Sequence, residues 1–208
     1  MHLRSSVPPS SAIATQRNPH LVRATWSVSI WAVAGKNDRD EGSTEPRTRG
    51  EGENFERRIE STLNGVCNPI LRRVHSFGDL DLHDADGVDL GDIDILAFDP
   101  SSQSLYIIEA KALIVARTPR ELQNEVSNIH VGEHSAVERL RGRYEWVLQN
   151  YQEVLESLNL TVTDITVVPL IVIDADLVSA RFESPFDIVT LDSLVTYMQN
   201  DSKISSQH

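Results

Sequence analysis

Two short apolar segments joined by a turn-forming stretch constrain the folding of this chain more than any other feature. Residues 93–98 and 105–112 are rich in Ile, Leu and Ala, and the six residues between them read DPSSQS. Strand-forming runs that flank a cluster of Asp, Pro and Ser predict a β-hairpin. If the six residues form the loop, Phe98 pairs with Leu105, and the register of the whole hairpin follows from that pair.

The predicted register gathers ionisable groups at the open end of the hairpin. It places Asp94 opposite Glu109, and directly opposed side chains have Cβ atoms about 4.5–5.5 Å apart on the same side of the sheet. Lys111 lies two residues beyond Glu109 and therefore on the same face, opposite Asp92. The remainder of that face is apolar, and the reverse face carries no charged residue.

Two carboxylates at this separation are costly unless one is protonated or a cation bridges them. Mg²⁺ is typically held by one or two carboxylates together with water and phosphate oxygens, so Asp94 and Glu109 are candidate ligands for Mg²⁺ or Mn²⁺. A lysine beside the metal could orient or deprotonate the attacking water, or offset charge that develops on phosphorus. The alternative is an ordinary salt-bridged hairpin end, in which Lys111 neutralises Asp92 or Glu109.

The residues before the hairpin predict a helix, a strand and a loop. Apolar residues recur every four positions from Asn54 onward and predict a helix, which Asn64-Gly65 would end. Residues 69–77 predict a first strand. The Gly- and Asp-rich residues 78–92 predict an acidic loop beside the charged end of the hairpin.

The residues after the hairpin complete an α/β pattern. Thr118 and Glu121 predict a capping box, with Pro119 at the first helical position. The predicted elements that follow are helical periodicity over 135–158, a strand at 162–173 that is apolar enough to be covered on both faces, a strand at 186–191 and a helix at 193–198. This order predicts an α/β fold with a mixed central β-sheet flanked by helices.

Composition divides the chain into three parts. Residues 1–50 are predicted to be an extension or linker that is partly disordered, residues 51–200 to form the α/β domain, and residues 201–208 to form a disordered tail. The apolar residues 26–34 are interpreted as a strand or short helix, with a signal peptide as the alternative. No stretch approaches the roughly 20 apolar residues that span a bilayer, so the sequence predicts no contact with a membrane core.

The cysteine count indicates the compartment and excludes some kinds of site. Cys67 is the only cysteine, which excludes an intramolecular disulfide and a cysteine-rich zinc site and predicts a reducing, cytoplasmic location. The histidines at positions 75, 83, 130 and 134 lack the spacing of a zinc site. They are interpreted as solvent-facing or packing residues.

The charge distribution restricts how the chain can bind nucleic acid. The formal charge is −12; residues 1–50 carry seven basic and four acidic side chains, a net of +3, which leaves −15 for residues 51–208. Because neutralised phosphates supply most non-specific affinity, such a domain is a poor general clamp for DNA, and any phosphate-binding face must be local. Arginines that either line one groove or lie on solvated faces occur at positions 57, 58, 72, 73, 117, 120, 139, 141 and 143.

Residues 91–99, GDIDILAFD, and residues 105–112, LYIIEAKA, resemble the Asp and Glu-x-Lys signature of the PD-(D/E)xK nuclease superfamily. Its restriction-endonuclease-like αβββαβ core is similar to the order of elements predicted over residues 54–173. The resemblance implies that Asp94 and Glu109 are metal ligands, that Lys111 is the catalytic lysine, and that the backbone carbonyl of Ala110 is a further ligand. It also implies Mg²⁺ as the cofactor, DNA and possibly RNA as substrate, and a homodimer or partner protein for target choice.

Many members of this superfamily place a glutamate on the first helix near the metal. At 100° per residue, Glu56 lies about 20° from the apolar stripe at Leu63, nearer than Glu53 or Glu60. The Phe55-Glu56 pair also resembles the start of Mrr-like restriction endonuclease domains, whose core is also that of Holliday-junction-resolvase-like proteins. Glu56 is therefore the candidate additional catalytic residue, and Gln123 is a weaker candidate on the helix after the lysine.

These observations favour a metal-dependent nuclease that hydrolyses phosphodiester bonds in DNA. The intact set of Asp, Glu and Lys supports that hypothesis. The acidic balance supports an alternative of another class, a non-catalytic binding or interaction module on the same fold.

Overall fold

A five-stranded mixed sheet forms the centre of the part of the chain that the structure describes. The computed structural model describes residues 49–205 except residue 163, and the side chains of residues 50–200 with the same exception. Almost all of the predicted extension at 1–50, including the apolar residues 26–34, lies outside the described residues, so its organisation stays a prediction.

The main elements follow the predicted order, and one short strand, Leu80–Asp81, lies in the predicted loop at 78–92. They are α1 Arg49–Leu63, β1 Ile70–Val74, β2 Ser76–Phe77, β3 Leu80–Asp81, β4 Ile93–Asp99, β5 Ser104–Lys111, α2 Pro119–Ile129, α3 Ala136–Gln149, α4 Tyr151–Ser157, β6 Thr166–Ile173, β7 Asp187–Thr190 and α5 Leu194–Ser205, with short 3₁₀ turns at Ser179–Arg181 and Leu191–Ser193. The main sheet has the order β1-β4-β5-β6-β7. The pairs β1–β4 and β4–β5 are antiparallel, and the pairs β5–β6 and β6–β7 are parallel.

This topology confirms the predicted fold class, a mixed α/β sheet with an αβββαβ core. The hairpin register is confirmed from the pair Ile95–Ile108 to the pair Asp99–Ser104, and the predicted pairs at Asp94 and Asp92 lie beyond the end of this ladder. Parallel pairing of β5 with β6 needs a long crossover, which α2, α3 and α4 supply.

Helices cover both faces of the sheet. On one face, the apolar side of α1 and residues of α5 pack on strand residues that include Ile95, Tyr106 and Ile108. On the other face, α2, α3 and α4 pack on strand residues that include Leu96 and Ile107. Successive side chains of β4 and β5 point to opposite faces, and nearly all of them are buried, because helices cover both faces of the sheet; this explains why the hairpin is apolar on both sides.

Several predicted boundaries differ from those observed. The predicted strand at 69–77 divides into β1 and β2, because β2 pairs with β3 in a separate two-stranded sheet. The helical stretch predicted for 135–158 breaks at Asn150, between α3 and α4. β6 begins at Thr166 rather than at 162, because the Tyr151 hydroxyl binds both the N–H and the carbonyl of Ile165 in place of a neighbouring strand.

The last helix runs to Ser205, past the predicted end of the domain at residue 200, and residues 206–208 are not among the described ones. Among the residues described, no helix combines the length and apolar character needed to cross a membrane.

Candidate functional site

Asp94 and Glu109 lie at the open end of the hairpin, where the ladder between β4 and β5 stops. Glu109 is completely buried, whereas the Asp94 side chain is 21% exposed. The backbone N–H of Ala110 donates a hydrogen bond of 2.8 Å to Asp94 Oδ2. The backbone of β5 therefore positions the Asp94 carboxylate of β4. The metal-ligand role of the Ala110 carbonyl stays a prediction.

Lys111 is the first cation beside this carboxylate pair. Its Nζ lies 2.9 Å from Glu109 Oε1, and its side chain is only 18% exposed. Glu109 Oε1 is buried, and Arg139 Nη1 is a second cationic atom 3.8 Å from it. Lys111 thus neutralises charge on Glu109.

Arg143 is the second cation, and the sequence reasoning did not single it out. It projects from α3, and its Nη1 donates a short hydrogen bond to Glu109 Oε2 and lies 3.7 Å from Asp94 Oδ1. Its Nε donates to the carbonyl of Leu90 at 3.1 Å. Arg143 is nearly fully buried, so its charge acts on both carboxylates with little screening by solvent.

A sequence signal for Arg143 exists in its helical spacing. It lies three residues after Leu140 and four before Val147, and both of these residues are fully buried. Residues at such spacings share one face of a helix. An arginine on the buried stripe of α3 is therefore expected to meet a buried acid, whereas Arg141, two residues before it, pairs with Glu138 on the same helix.

The Asp94 carboxyl has a strongly raised pKa. Burial raises its pKa from 3.8 to about 7, and the charge of Glu109 adds to the shift, whereas Arg143, the Ala110 N–H and Lys111 lower it. The two negative charges of Asp94 and Glu109 equal in number the positive charges of Lys111 and Arg143. The raised pKa nevertheless indicates that the two bases do not fully compensate Asp94 for the loss of water.

Glu56 reaches the same cleft from the opposite helical layer. It accepts hydrogen bonds from Arg73 Nε at 2.8 Å and from Arg73 Nη2 at 3.2 Å, and Arg72 lies 3.9 Å away. Arg73 has a φ of +52°, a left-handed conformation at a position that the β1–β4 ladder skips. The register is the same on both sides of Arg73, which places it opposite Asp94. The Arg73 side chain pairs with Glu56 on α1, so Glu56 is an ion-paired wall of the cleft.

The cleft itself has a volume of about 510 Å³. It is lined by Glu56, Arg73, Asp89, Leu90, Gly91, Asp92, Asp94, His134, Arg139 and Arg143. Part of the acidic loop thus lies beside Asp94. Three arginines also line the cleft: Arg73 from β1, and Arg139 and Arg143 from α3. Arg139 is the most exposed of these three arginines, since 43% of its side chain is exposed. Its Nη1 comes no closer than 3.8 Å to Glu109 Oε1.

The remaining candidates lie elsewhere. Gln123 is exposed on α2 and does not line the cleft. The buried acid of that helix is Glu125, which accepts hydrogen bonds from Ser179 N and Oγ at 2.9 and 2.6 Å and from the N–H of Ala116 at 3.2 Å. Glu125 ties α2 to the segments around it, which is a structural role.

The donor set suits a hard divalent cation with few protein ligands. Within residues 50–200 as described, no group of three or more His, Cys, Asp or Glu side chains is arranged to hold a metal. Mg²⁺ is commonly held by only one or two carboxylates and completes its shell with water and phosphate oxygens. Asp94 and Glu109 match that pattern in number and type, although Asp94 lines the cleft and Glu109 does not.

Comparisons with known proteins give one distant likeness. No protein-family model matches the chain, and no curated protein does either. Among solved structures, the chain is similar to the small subunit of the heterodimeric restriction endonuclease R.BspD6I, with 15% identity and a TM-score of 0.33 over 73% of this chain and 70% of that one.

Proposed function

We propose that this chain is a metal-dependent nuclease that hydrolyses phosphodiester bonds in DNA and belongs to the PD-(D/E)xK superfamily. The observation that supports the proposal is the grouping of Asp94, which lines the cleft, with the buried Glu109 and with Lys111, whose Nζ lies 2.9 Å from Glu109 Oε1. Two neighbouring carboxylates can hold a divalent cation, and an amine beside them can position water or offset charge on a phosphate.

In the proposed mechanism, Asp94, Glu109 and the carbonyl of Ala110 hold Mg²⁺ or Mn²⁺. When bound, this ion supplies Lewis-acid stabilisation of the phosphate and lowers the pKa of a bound water. Lys111 orients the attacking water and offsets charge on the phosphate oxygens. Glu56, held by Arg73, bounds the cleft on the side of α1.

One arginine of the cleft supports binding of an anionic substrate despite the acidic balance of the domain. Residues 51–208 carry a net charge of −15, which opposes binding of DNA over the whole surface. Arg139 exposes its guanidinium within the cleft and is the proposed contact to the phosphate. The proposal includes RNA as a possible substrate, a homodimer or partner protein for target choice, and a cytoplasmic location.

A non-catalytic interaction module is the second candidate, and one observation favours it. Arg143 is paired with both carboxylates and Lys111 with Glu109, as they would be in a site that has become structural. In that case the negative surface would bind a basic partner protein rather than nucleic acid.

The discriminating experiment is cleavage of plasmid, single-stranded DNA and RNA by the purified full chain with Mg²⁺ or Mn²⁺ and with EDTA. Asp94→Ala and Lys111→Ala are compared with Asp176→Ala, which removes an exposed acid paired only with Arg181 at the surface. We expect the two site variants to lose at least about 100-fold in rate, since changes that merely misorient metal ligands cost about 10–100-fold.

The Asp176→Ala variant is expected to cleave like the wild type. Equal cleavage by the wild type and both site variants would overturn the proposal, because the activity would then come from elsewhere. Absence of cleavage by the wild type with either metal would favour the interaction module.

A further inference from the structure

Arg143 is held in a site shaped for a guanidinium group. Its Nε binds the Leu90 carbonyl, and its Nη1 binds Glu109 and approaches Asp94. A Cβ on Gly91 would lie 3.2 Å from Nη2 of Arg143, so the absence of a side chain at that position makes room for the guanidinium. A Cβ added to Gly142 would lie 3.0 Å from Leu90 Cδ2, which shows how closely α3 approaches this loop.

The contacts of Arg143 go beyond those of a simple anchor between a helix and a sheet. An anchor needs one acid, whereas the Nη1 atom of Arg143 serves Glu109 and also lies within 3.7 Å of Asp94. Placing a positive charge between the buried Glu109 and the partly buried Asp94 meets the same electrostatic demand that a shared cation would meet.

We propose that Arg143 is the resident counter-ion of Asp94 and Glu109, a positioning residue whose guanidinium competes with a divalent cation for the same two carboxylates. The inference rests on the proposed metal site. Arg143 holds the pair together without a metal, and it lowers the affinity for a metal because the two positive charges repel each other in a buried site.

Metal rescue of stability tests this role. The full chain, freed of metal with EDTA, is compared with Arg143→Met, Arg143→Lys and the matched control Arg141→Met, which removes an equal charge from the exposed part of α3. Mn²⁺ affinity is measured by isothermal titration calorimetry, and the melting temperature is measured with and without Mn²⁺. No DNA is present, so the readout does not depend on activity.

We expect Arg143→Met to melt lower than the wild type in EDTA and to recover most of that loss in Mn²⁺. Its Mn²⁺ affinity should rise at least about tenfold, since removing one charge about 4 Å from a divalent ion changes the interaction by more than 1.4 kcal/mol even at high effective dielectric. Arg141→Met should bind Mn²⁺ like the wild type. The double variant Glu109→Gln/Arg143→Met should be stable in EDTA and show no rescue.

The proposal is overturned if folded Arg143→Met binds Mn²⁺ no more tightly than the wild type. If Arg143→Met does not fold in either condition, Arg143→Lys decides, because lysine keeps the charge but cannot bind Leu90 and both carboxylates at once. It should then bind Mn²⁺ several-fold more tightly than the wild type, and an unchanged or weaker affinity would refute the counter-ion role.

The outcomes separate this inference from the nuclease proposal. Tighter Mn²⁺ binding by the Arg143 variants without cleavage by any protein would leave the counter-ion role intact and remove the nuclease function. Metal-dependent cleavage by the wild type, with unchanged Mn²⁺ affinity in the Arg143 variants, would do the reverse. Lack of Mn²⁺ binding by every protein would overturn both.

Discussion

Asp94 and Asp99 are the same residue type on the same strand, yet their environments differ in kind. Asp99, at the turn end of β4, is buried and accepts hydrogen bonds from Ser101 N, Ser101 Oγ and Ser102 Oγ at 2.8, 2.7 and 2.8 Å. Burial alone would raise the pKa of Asp99, but the hydrogen bonds from the two serines lower it below its usual value. Asp94, at the open end, has a pKa raised to about 7.

The difference separates a carboxylate that stabilises the fold, Asp99, from one that is a candidate functional group, Asp94. Asp99 is satisfied by neutral donors two and three residues away, so its charge is stabilised by the turn that it helps to form. Asp94 lies beside the buried Glu109. The cations that favour its charged form, Arg143 and Lys111, are close in space but far from it along the chain. Groups with strongly raised pKa values in a cleft are candidates for function, whereas satisfied turn residues are not.

Replacing Asp99 with alanine should have the largest effect on stability. The variant loses the acceptor of three hydrogen bonds, and we expect about 2–3 kcal/mol less free energy of unfolding at pH 7. A carboxyl whose pKa is lowered by folding contributes stability above its unfolded pKa and loses it as the pH falls through the folded pKa. Urea unfolding should therefore show the deficit shrinking toward acid pH.

Ser102→Ala, which removes one donor to Asp99, is the control and should cost less than Asp99→Ala. A deficit that is equal at pH 7 and pH 3 would contradict the account of Asp99 as an ionised turn residue.

Replacing Asp94 with asparagine should raise the free energy of unfolding, whereas replacing Asp99 lowers it. The asparagine oxygen can still accept from Ala110, but the variant never ionises. A carboxyl whose pKa is raised by folding costs stability progressively as the pH rises from its unfolded value near 4 through the folded value near 7. In EDTA, Asp94→Asn should match the wild type near pH 4 and exceed it by about 1–3 kcal/mol at pH 8.

Urea unfolding of both proteins across this pH range measures the difference. If Asp94→Asn is less stable than the wild type at pH 8, Asp94 is a stabilising ion-pair partner, and the contrast with Asp99 fails.

Local patterns account for most of what could be predicted from the sequence. The register of the hairpin follows from a short turn and opposed apolar residues, and the Thr118 capping box forms as predicted, with Thr118 Oγ1 accepting from Glu121 N. In both cases the interacting groups are close in sequence, so backbone geometry alone brings them together.

The site is less accessible to sequence reasoning because its partners are distant along the chain. Arg143 and Glu109 are 34 residues apart, and their contact depends on how α3 packs on the sheet. The spacing of Arg143 relative to Leu140 and Val147 marks it as buried but does not identify its partner. The left-handed Arg73, which carries the contact to Glu56, has no sequence signal, since non-glycine residues seldom adopt that conformation.

The smallest predicted effect probes the space beside Arg143. Gly91 and Gly87 both have left-handed φ values, +67° and +79°, so alanine should cost about 1–2 kcal/mol at either position. At Gly87 the new Cβ meets nothing within 4 Å, whereas at Gly91 it lies 3.2 Å from Arg143 Nη2. Because Glu109 and Leu90 hold the guanidinium, Gly91→Ala should cost about 0.5–1.5 kcal/mol more than Gly87→Ala.

A double-mutant cycle tests whether Arg143 causes the extra loss of stability in Gly91→Ala relative to Gly87→Ala. In the Arg143→Met background the more flexible methionine can move aside, so the difference in unfolding free energy between Gly91→Ala and Gly87→Ala should fall to within about 0.5 kcal/mol. Saturating Mn²⁺ should reduce the same difference in the wild-type background if the metal displaces the guanidinium from the carboxylates. An excess that persists in both conditions would mean that Gly91 is required by the backbone alone, and that Arg143 is not confined at this end of the hairpin.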